Sequence, residues 1–261
     1  MDEHFSKYGF QRDEDLIMKF IGGSQLHGAK LEGTDDEDWY GVYIEPRELA
    51  LGIDSEEHFV FTTGGQRGGN GPEDVDVCLY TLRKTAKLIA KGNPSVLHFL
   101  FAKPEFQTVV WAKFNQNREA FLAKNQVNQF FGFAEAQLRR LYNQQGQKNV
   151  HRGELEEAHG YDTKYAMHVV RLYGEALEFL RTGVITLPRP NKDELIAIRQ
   201  GKWKLPEFQK YAEELKRQAE EEKDKSPLPD RVDRKEISRL VAQAYEMHWE
   251  QAKYRKVAAM N

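Results

Sequence analysis

The chain has 261 residues, of which 40% are hydrophobic, 11% aromatic and 30% charged, a composition that excludes wholesale disorder and supplies ample material for a core. With 38 basic against 41 acidic residues the net charge is −3, which excludes the strongly basic body of a non-specific nucleic-acid binder and leaves any polyanion to a local patch. The one cysteine, Cys78, excludes an intramolecular disulfide and a cysteine-rich zinc site, and no apolar run reaches the roughly 18 to 20 residues that span a bilayer, so a cytoplasmic protein without membrane contact is expected.

The first quarter reads as strands and turns. The apolar run 16–21 stops at Gly22-Gly23-Ser24, and after a polar, acidic loop the β-rich run 39–44 ends near Pro46. Two further strands are expected over 58–63 and 75–80. Between them lies 64–72, whose five glycines read as a connector, since they match neither a dinucleotide-binding pattern nor a P-loop. From Thr81 the period becomes helical, through Leu82, Leu88, Ile89, Val96, Leu97 and Leu100, with breaks at Gly92-Asn93-Pro94 and Pro104. Helices are expected over 115–122, 126–145, 163–182, 193–201, 205–225 and 234–253. There is no internal repeat. The pattern is α+β: a small mixed sheet with helices over residues 1–104, then a helical domain over 105–261.

The sharpest chemical feature is Gly23-Ser24 at the end of a strand, followed by Asp36-Glu37-Asp38 leading into the next. Side chains alternate faces along a strand, so Asp36 and Asp38 converge. Two like charges so close call for a cation, and a hard divalent ion such as Mg²⁺ is the usual one. The plainer alternative is a solvated acidic loop, since Glu32 and Asp35 lie beside them. Over 74–80, Val75, Val77 and Leu79 form one face, while Asp74, Asp76, Cys78 and Tyr80 form the other. A carboxylate in a strand interior is unusual. A third metal ligand explains it; the exposed face of an edge strand is the alternative, and Asp74 shares its face with Asp76.

Gly23-Ser24, Asp36-x-Asp38 followed by Gly41-Val42, and a later strand with Asp76 together resemble the nucleotidyltransferase fold of the DNA polymerase beta superfamily. More specifically, Gly23-Ser24-Gln25-Leu26-His27-Gly28, Asp38-Trp39-Tyr40-Gly41-Val42-Tyr43, Leu82-Arg83-Lys84, Lys91-Gly92-Asn93-Pro94-Ser95-Val96-Leu97 and Lys164-Tyr165-Ala166-Met167-His168 resemble the predicted nucleotidyltransferases associated with RNA repair, over roughly residues 15–200. The chain departs from the commoner pattern in having Thr34-Asp35-Asp36 where many members have Ser-Asp, and Asp76 where Glu is frequent; neither change removes a charge. The resemblance implies that 1–104 is the catalytic domain and that 105–261 contributes to nucleotide and acceptor binding. It implies that Asp36 and Asp38 hold two Mg²⁺ ions, with Mn²⁺ an alternative, and that Asp76 completes the metal site and activates the attacking hydroxyl. Gly23 and Ser24 would contact a nucleoside triphosphate such as ATP. The implied reaction moves a nucleoside monophosphate to a hydroxyl, an RNA end being favoured over a protein or small-molecule hydroxyl. A non-catalytic nucleotide- or RNA-binding module of the same fold is the rival. The base selected and the oligomeric state are left open.

On the helix over 163–182, Lys164, His168 and Arg171 share one stripe while Met167, Val170, Leu177 and Leu180 supply the core stripe. The basic stripe is suited to a triphosphate; the alternative is a solvated face with Arg171 paired to Glu175. Arg139 and Arg140, with Tyr142, Lys148, His151 and Arg152, form the candidate RNA-binding patch, against the alternative of a plain surface. His27, in the glycine turn, either touches nucleotide or is exposed. The mixed charges of 213–225 read as a solvated face, and His151, His159 and His168 lack zinc-helix spacing.

Overall fold

The computed structural model describes residues 5–31, 33, 35–63, 73–142 and 159–258. Five strands, β1 (Leu16–Ile21), β2 (Glu37–Tyr43), β3 (His58–Thr62), β4 (Val75–Thr81) and β5 (Phe106–Gln107), form one mixed sheet in the order β3-β4-β2-β1-β5. Only β2 and β4 are parallel; the other neighbours are antiparallel. The hairpin from β3 to β4 returns the chain beside β2 in its own direction.

The sheet has two unlike faces. Period-two alternation sends Trp39, Tyr43, Val77 and Leu79 to one side, where Phe5 and Phe10 cover them in a small apolar cluster. Tyr40, Val42 and Tyr80 point the other way, into a much larger core shared with the helices. Asp38 and Asp76, of the same parity, therefore sit on the helix-covered face.

Among the described residues the α-helices are α1 (Gly23–Leu26), α2 (Arg47–Leu51), α3 (Leu82–Ala90), α4 (Pro94–Leu97), α5 (Val109–Gln116), α6 (Val127–Leu141), α7 (Thr163–Thr182), α8 (Lys192–Arg199), α9 (Leu205–Lys223) and α10 (Arg234–Ala258). The expected glycine turn after β1 is one turn of helix, and the short α2 and β5 were not expected. The helix expected over 115–122 instead begins at Val109 as α5 and ends in a 3-10 turn over Arg118–Phe121. Residues 143–145 of the helix expected over 126–145 lie outside the described residues, as does the glycine connector over 64–72. Expected and observed bounds coincide for α7, where Asp162 caps the start by accepting from the N–H groups of Lys164 and Tyr165 at 2.9 and 3.0 Å, and Gly183 ends it with φ of 69°.

α7 is the hub of the helical half: Met167, Val170 and Leu180 are buried, as are Val169, Tyr173 and Phe179, leaving few positions for solvent. α6, α8 and α9 pack around it. α9 does present the mixed charges of 213–225 outward, with Arg217 pairing Glu214 at 2.6 Å and Glu221 at 2.5 Å; such exposed pairs contribute little to stability. α10 returns to the sheet half. There the Tyr245 hydroxyl donates to Glu45 Oε2 at 2.7 Å, Trp249 Nε1 donates to the Glu45 carbonyl at 3.0 Å, and His248 Nε2 lies 3.3 Å from Asp15 Oδ1. Among the described residues no helix is long and apolar enough to cross a membrane.

Candidate active site

Parallel pairing in register sets Asp38 of β2 directly beside Asp76 of β4, and neighbouring strands lie only about 4.8 Å apart. Asp36, just before β2 begins, completes the group: one carboxylate oxygen from each of Asp36, Asp38 and Asp76 lies within 4.8 Å of the others. Burial and the charges of Asp36 and Asp76 push the Asp38 carboxyl up to about 6, against the pull of Lys164. β4 is flanked by β2 and β3, so the edge-strand alternative does not hold. Asp74 is engaged elsewhere, its Oδ1 accepting from Thr63 Oγ1 at 2.8 Å, while that same Oγ1 accepts from the Val75 N–H at 2.8 Å.

The turn after β1 is pressed against this cluster. Gly22 N–H donates to the Asp38 carbonyl at 2.8 Å. Gly23 has φ of +56°, and a Cβ there would sit 1.8 Å from Asp38 Oδ2, so both backbone conformation and space demand glycine. A cavity of about 270 Å³ opens beside it, bounded by Gly23, Ser24, Asp36 and Asp38 on one side and Lys164, His168 and Arg171 of α7 on the other. The basic stripe of α7 and the acidic end of β2 thus face one space.

Two buried polar networks hold the cavity walls. In the first, Asp35 is 4% exposed and Arg199 8%. The Arg199 guanidinium binds both Asp35 oxygens, with Nη1 to Oδ2 at 2.6 Å, and the same Nη1 donates to the Ala29 carbonyl at 2.9 Å. Asp35 Oδ2 also accepts from Ser24 Oγ at 2.9 Å and from the Leu31 N–H at 3.0 Å. Burial alone would raise the Asp35 carboxyl; the bonds from Arg199, Leu31 and Ser24 hold it at about 2.

In the second network, fully buried Glu175 accepts from Arg171 Nη1 at 3.0 Å through both oxygens, and lies 3.4 Å from His27 Nδ1 and 3.2 Å from His98 Nε2. The two imidazole rings meet edge to face at 4.9 Å. Burial, followed by the Arg171 charge, drives the His27 imidazole well below its ordinary value despite Glu175. Burial would raise Glu175, but Arg171 and His98 hold it well below the usual carboxylate range. His27, His98 and Glu175 have metal-ligand chemistry and spacing. The Arg171 cation, however, already lies against the one carboxylate at 3.0 Å, so Glu175 has a counter-charge without an ion. His27 is therefore not an exposed turn residue: it is buried, and it borders the same cavity as Asp38 and Lys164. The Arg171–Glu175 pair of the alternative reading exists, but it is buried, not solvated.

The model of the RNA repair pathway DNA polymerase beta family matches residues 2–253. The chain belongs to that family. Among curated proteins it is similar to an uncharacterized 38.9 kDa protein of the nrdC-mobD intergenic region of Enterobacteria phage T4, with 28% identity over 127 residues, or 46% of this chain and 37% of the phage protein. The match thus spans little more than a third of that relative. Among solved structures it is similar to a nucleotidyltransferase-like protein from Exiguobacterium sibiricum 255-15, with 11% identity, a TM-score of 0.30, and coverage of 94% of this chain and 75% of that one. Membership of the family supports a nucleotidyltransferase.

Arg139 and Arg140 lie in the exposed last turn of α6, where cations also complement the helix dipole, and neither borders the cavity. Tyr142 follows them, its hydroxyl accepting from Gln209 Nε2 at 2.8 Å. Thr34, Lys148, His151 and Arg152 lie outside the described residues. Sequence reasoning missed the roles of Asp35, His98 and Arg199, and saw Glu175 only as a solvated partner of Arg171. A signal existed for two of them: Arg199 falls four residues after buried Leu195, and Glu175 three after buried Leu172, each placing a charge on an apolar stripe.

Proposed function

We propose that this protein is a Mg²⁺-dependent nucleotidyltransferase that moves a nucleoside monophosphate from a nucleoside triphosphate to a hydroxyl, with an RNA end as acceptor. The observation that carries this reading is the carboxylate cluster, with Asp38 and Asp76 side by side on parallel strands and Asp36 within reach of both, facing a cationic helix across a cavity. The donors are all oxygen and mutually repelling, and hard divalent cations match both properties.

Asp36, Asp38 and Asp76 would hold two such ions. When bound, a pair of divalent ions stabilises the attacking and leaving oxygens of an in-line displacement. The acceptor oxygen attacks the α-phosphorus, the bond to the bridging oxygen of the β-phosphate breaks, and pyrophosphate leaves. Asp76 takes the proton from the attacking hydroxyl. The Ser24 hydroxyl donates its hydrogen bond to Asp35, so the turn at Gly23 and Ser24 meets the triphosphate through its backbone, which the absent Gly23 side chain allows to approach closely. Lys164 and His168 supply phosphate contacts from α7, with Arg171 behind them. In this reading residues 1–104 carry the chemistry, and 105–261 bring one wall of the nucleotide site together with the acceptor surface at Arg139 and Arg140.

The test incubates the protein with each of the four nucleoside triphosphates, labelled at the α-phosphate, and total RNA. Label transfer and pyrophosphate release are read with Mg²⁺ and with chelator. Metal-dependent transfer that disappears in Asp38→Asn is expected. Nucleotide binding without transfer for any triphosphate or acceptor would favour the non-catalytic module instead.

A further inference from the structure

Of the three clustered carboxylates, Asp38 and Asp76 are fixed by the sheet, each inside a strand and paired in register. Asp36 is not: β2 starts at Glu37, so Asp36 is the last residue of the connection from β1. Among its described residues, that connection contains the short α1 and no strand. Its neighbour Asp35 is where the connection is tied down. One carboxylate gathers Ser24 and Leu31 from the same connection and a two-pronged guanidinium from Arg199, 164 residues away in sequence. A two-pronged arginine–carboxylate pair fixes orientation as well as distance.

Arg199 is held at its other end. As the last residue of α8, its carbonyl accepts from Thr163 Oγ1 at 2.9 Å, and Thr163 is the first residue of α7, directly before Lys164. One residue therefore joins both walls of the cavity, its guanidinium holding the acidic connection and its carbonyl the start of the cationic helix. The guanidinium also meets the Ala29 carbonyl, so the connection is gripped at two points.

We propose that Asp35 and Arg199 are a positioning pair for the metal site: they set Asp36 against Asp38 and Asp76, so that divalent-ion affinity depends on an arginine in the helical half. The inference rests on reading the carboxylate cluster as an ion site. Partners behind metal ligands commonly change affinity by about 10- to 100-fold when removed, and a loss of about tenfold or more is expected here.

The experiment measures Mn²⁺ affinity of the full chain by electron paramagnetic resonance, together with amide hydrogen exchange and thermal melting. The variants are Arg199→Lys, Arg199→Gln, Asp35→Asn and, as reference, Asp38→Asn. Wild-type protein should bind Mn²⁺ and Asp38→Asn should not. Arg199→Gln should lose about tenfold or more in affinity, and Arg199→Lys, keeping the charge but not the fork, should recover part of it. The amides of Ala29, Leu31, Asp35 and Asp36 should exchange faster in Arg199→Gln while those of β4 stay protected, a local change that a general loss of stability does not produce. If a single variant fails to fold, Asp35→Asn combined with Arg199→Gln leaves no unpaired buried charge and gives the same comparison. Unchanged Mn²⁺ affinity in a folded Arg199→Gln or double variant, beside Asp38-dependent binding in the wild type, overturns the positioning role alone. Wild-type protein without Asp38-dependent Mn²⁺ binding overturns the metal reading first, and the positioning claim with it.

Discussion

Asp38 is the residue on which most observations converge: it touches the glycine turn, pairs with Asp76 across two strands, and has its carboxyl pushed up to about 6. Replacing it by asparagine removes one charge from a repelling group at nearly constant volume. We expect Asp38→Asn to lower transfer by about 100-fold or more, the scale of such electrostatic contributions, while the ion-free protein melts at an equal or higher temperature. The pH dependence follows with opposite signs for binding and stability. A divalent ion needs the ionised carboxylate, so Mn²⁺ affinity should fall as pH drops through about 6. The same raised carboxyl favours the ion-free fold at low pH, a contribution lost as pH rises through about 6. A titration of Mn²⁺ binding between pH 5 and 8 that is flat in the wild type would contradict this assignment. Between the two candidate carboxylates of β4, Asp76→Asn should silence transfer and Asp74→Asn should leave most of it, because Asp74 is bound to Thr63; steady-state pyrophosphate release ranks the two.

At the scale of elements, α7 combines two roles at neighbouring positions. Lys164 faces the cavity, and Lys164→Ala should weaken nucleoside triphosphate binding with little change in melting temperature. Arg171→Ala should behave differently, because it strands fully buried Glu175 without its cation. Breaking a buried pair in this way costs about 3–5 kcal/mol, so a large fall in melting temperature is expected, and an unchanged melt would mean that Glu175 finds another partner. Legibility from sequence follows the same division. The strands and α7 could be read because their apolar periods are local, and Asp36, Asp38 and Asp76 because their spacing and the Gly-Ser turn lie within a few dozen residues. β5 is only Phe106–Gln107, too short for any period to show. The partners of Asp35 and Glu175 come from other elements, and no local pattern announces a pairing such as that of Asp35 with Arg199 across 164 positions. The exposed alternative for His27 fails for that reason: within its turn it looks exposed, and only the packing of α7 buries it.

For the whole molecule, the near-neutral charge limits any RNA contact to a few phosphates. If the exposed end of α6 provides them, replacing Arg139 and Arg140 by alanine should weaken RNA binding and flatten the slope of log affinity against log salt by about 0.7 for each phosphate lost on a single strand. Nucleoside triphosphate affinity should not change, since neither arginine borders the cavity. RNA transfer that persists unaltered in this double variant would move the acceptor to a small molecule or a protein side chain.

The tie between Arg199 and Asp35 has a consequence for timing. All three clustered carboxylates are translated within the first 76 residues, yet the side chain that anchors their connection emerges from the ribosome more than a hundred residues later. At about 5–20 residues per second, the nascent sheet waits many seconds with Asp35 lacking its cation. It waits longer still for His248 of α10 to reach Asp15, 233 positions away. Contacts this distant in sequence slow folding. A nascent chain stalled before Arg199 clears the exit tunnel should therefore hold its strands but leave the amides of Ala29, Leu31, Asp35 and Asp36 open to exchange, so that the carboxylate cluster is among the last parts of the molecule to mature.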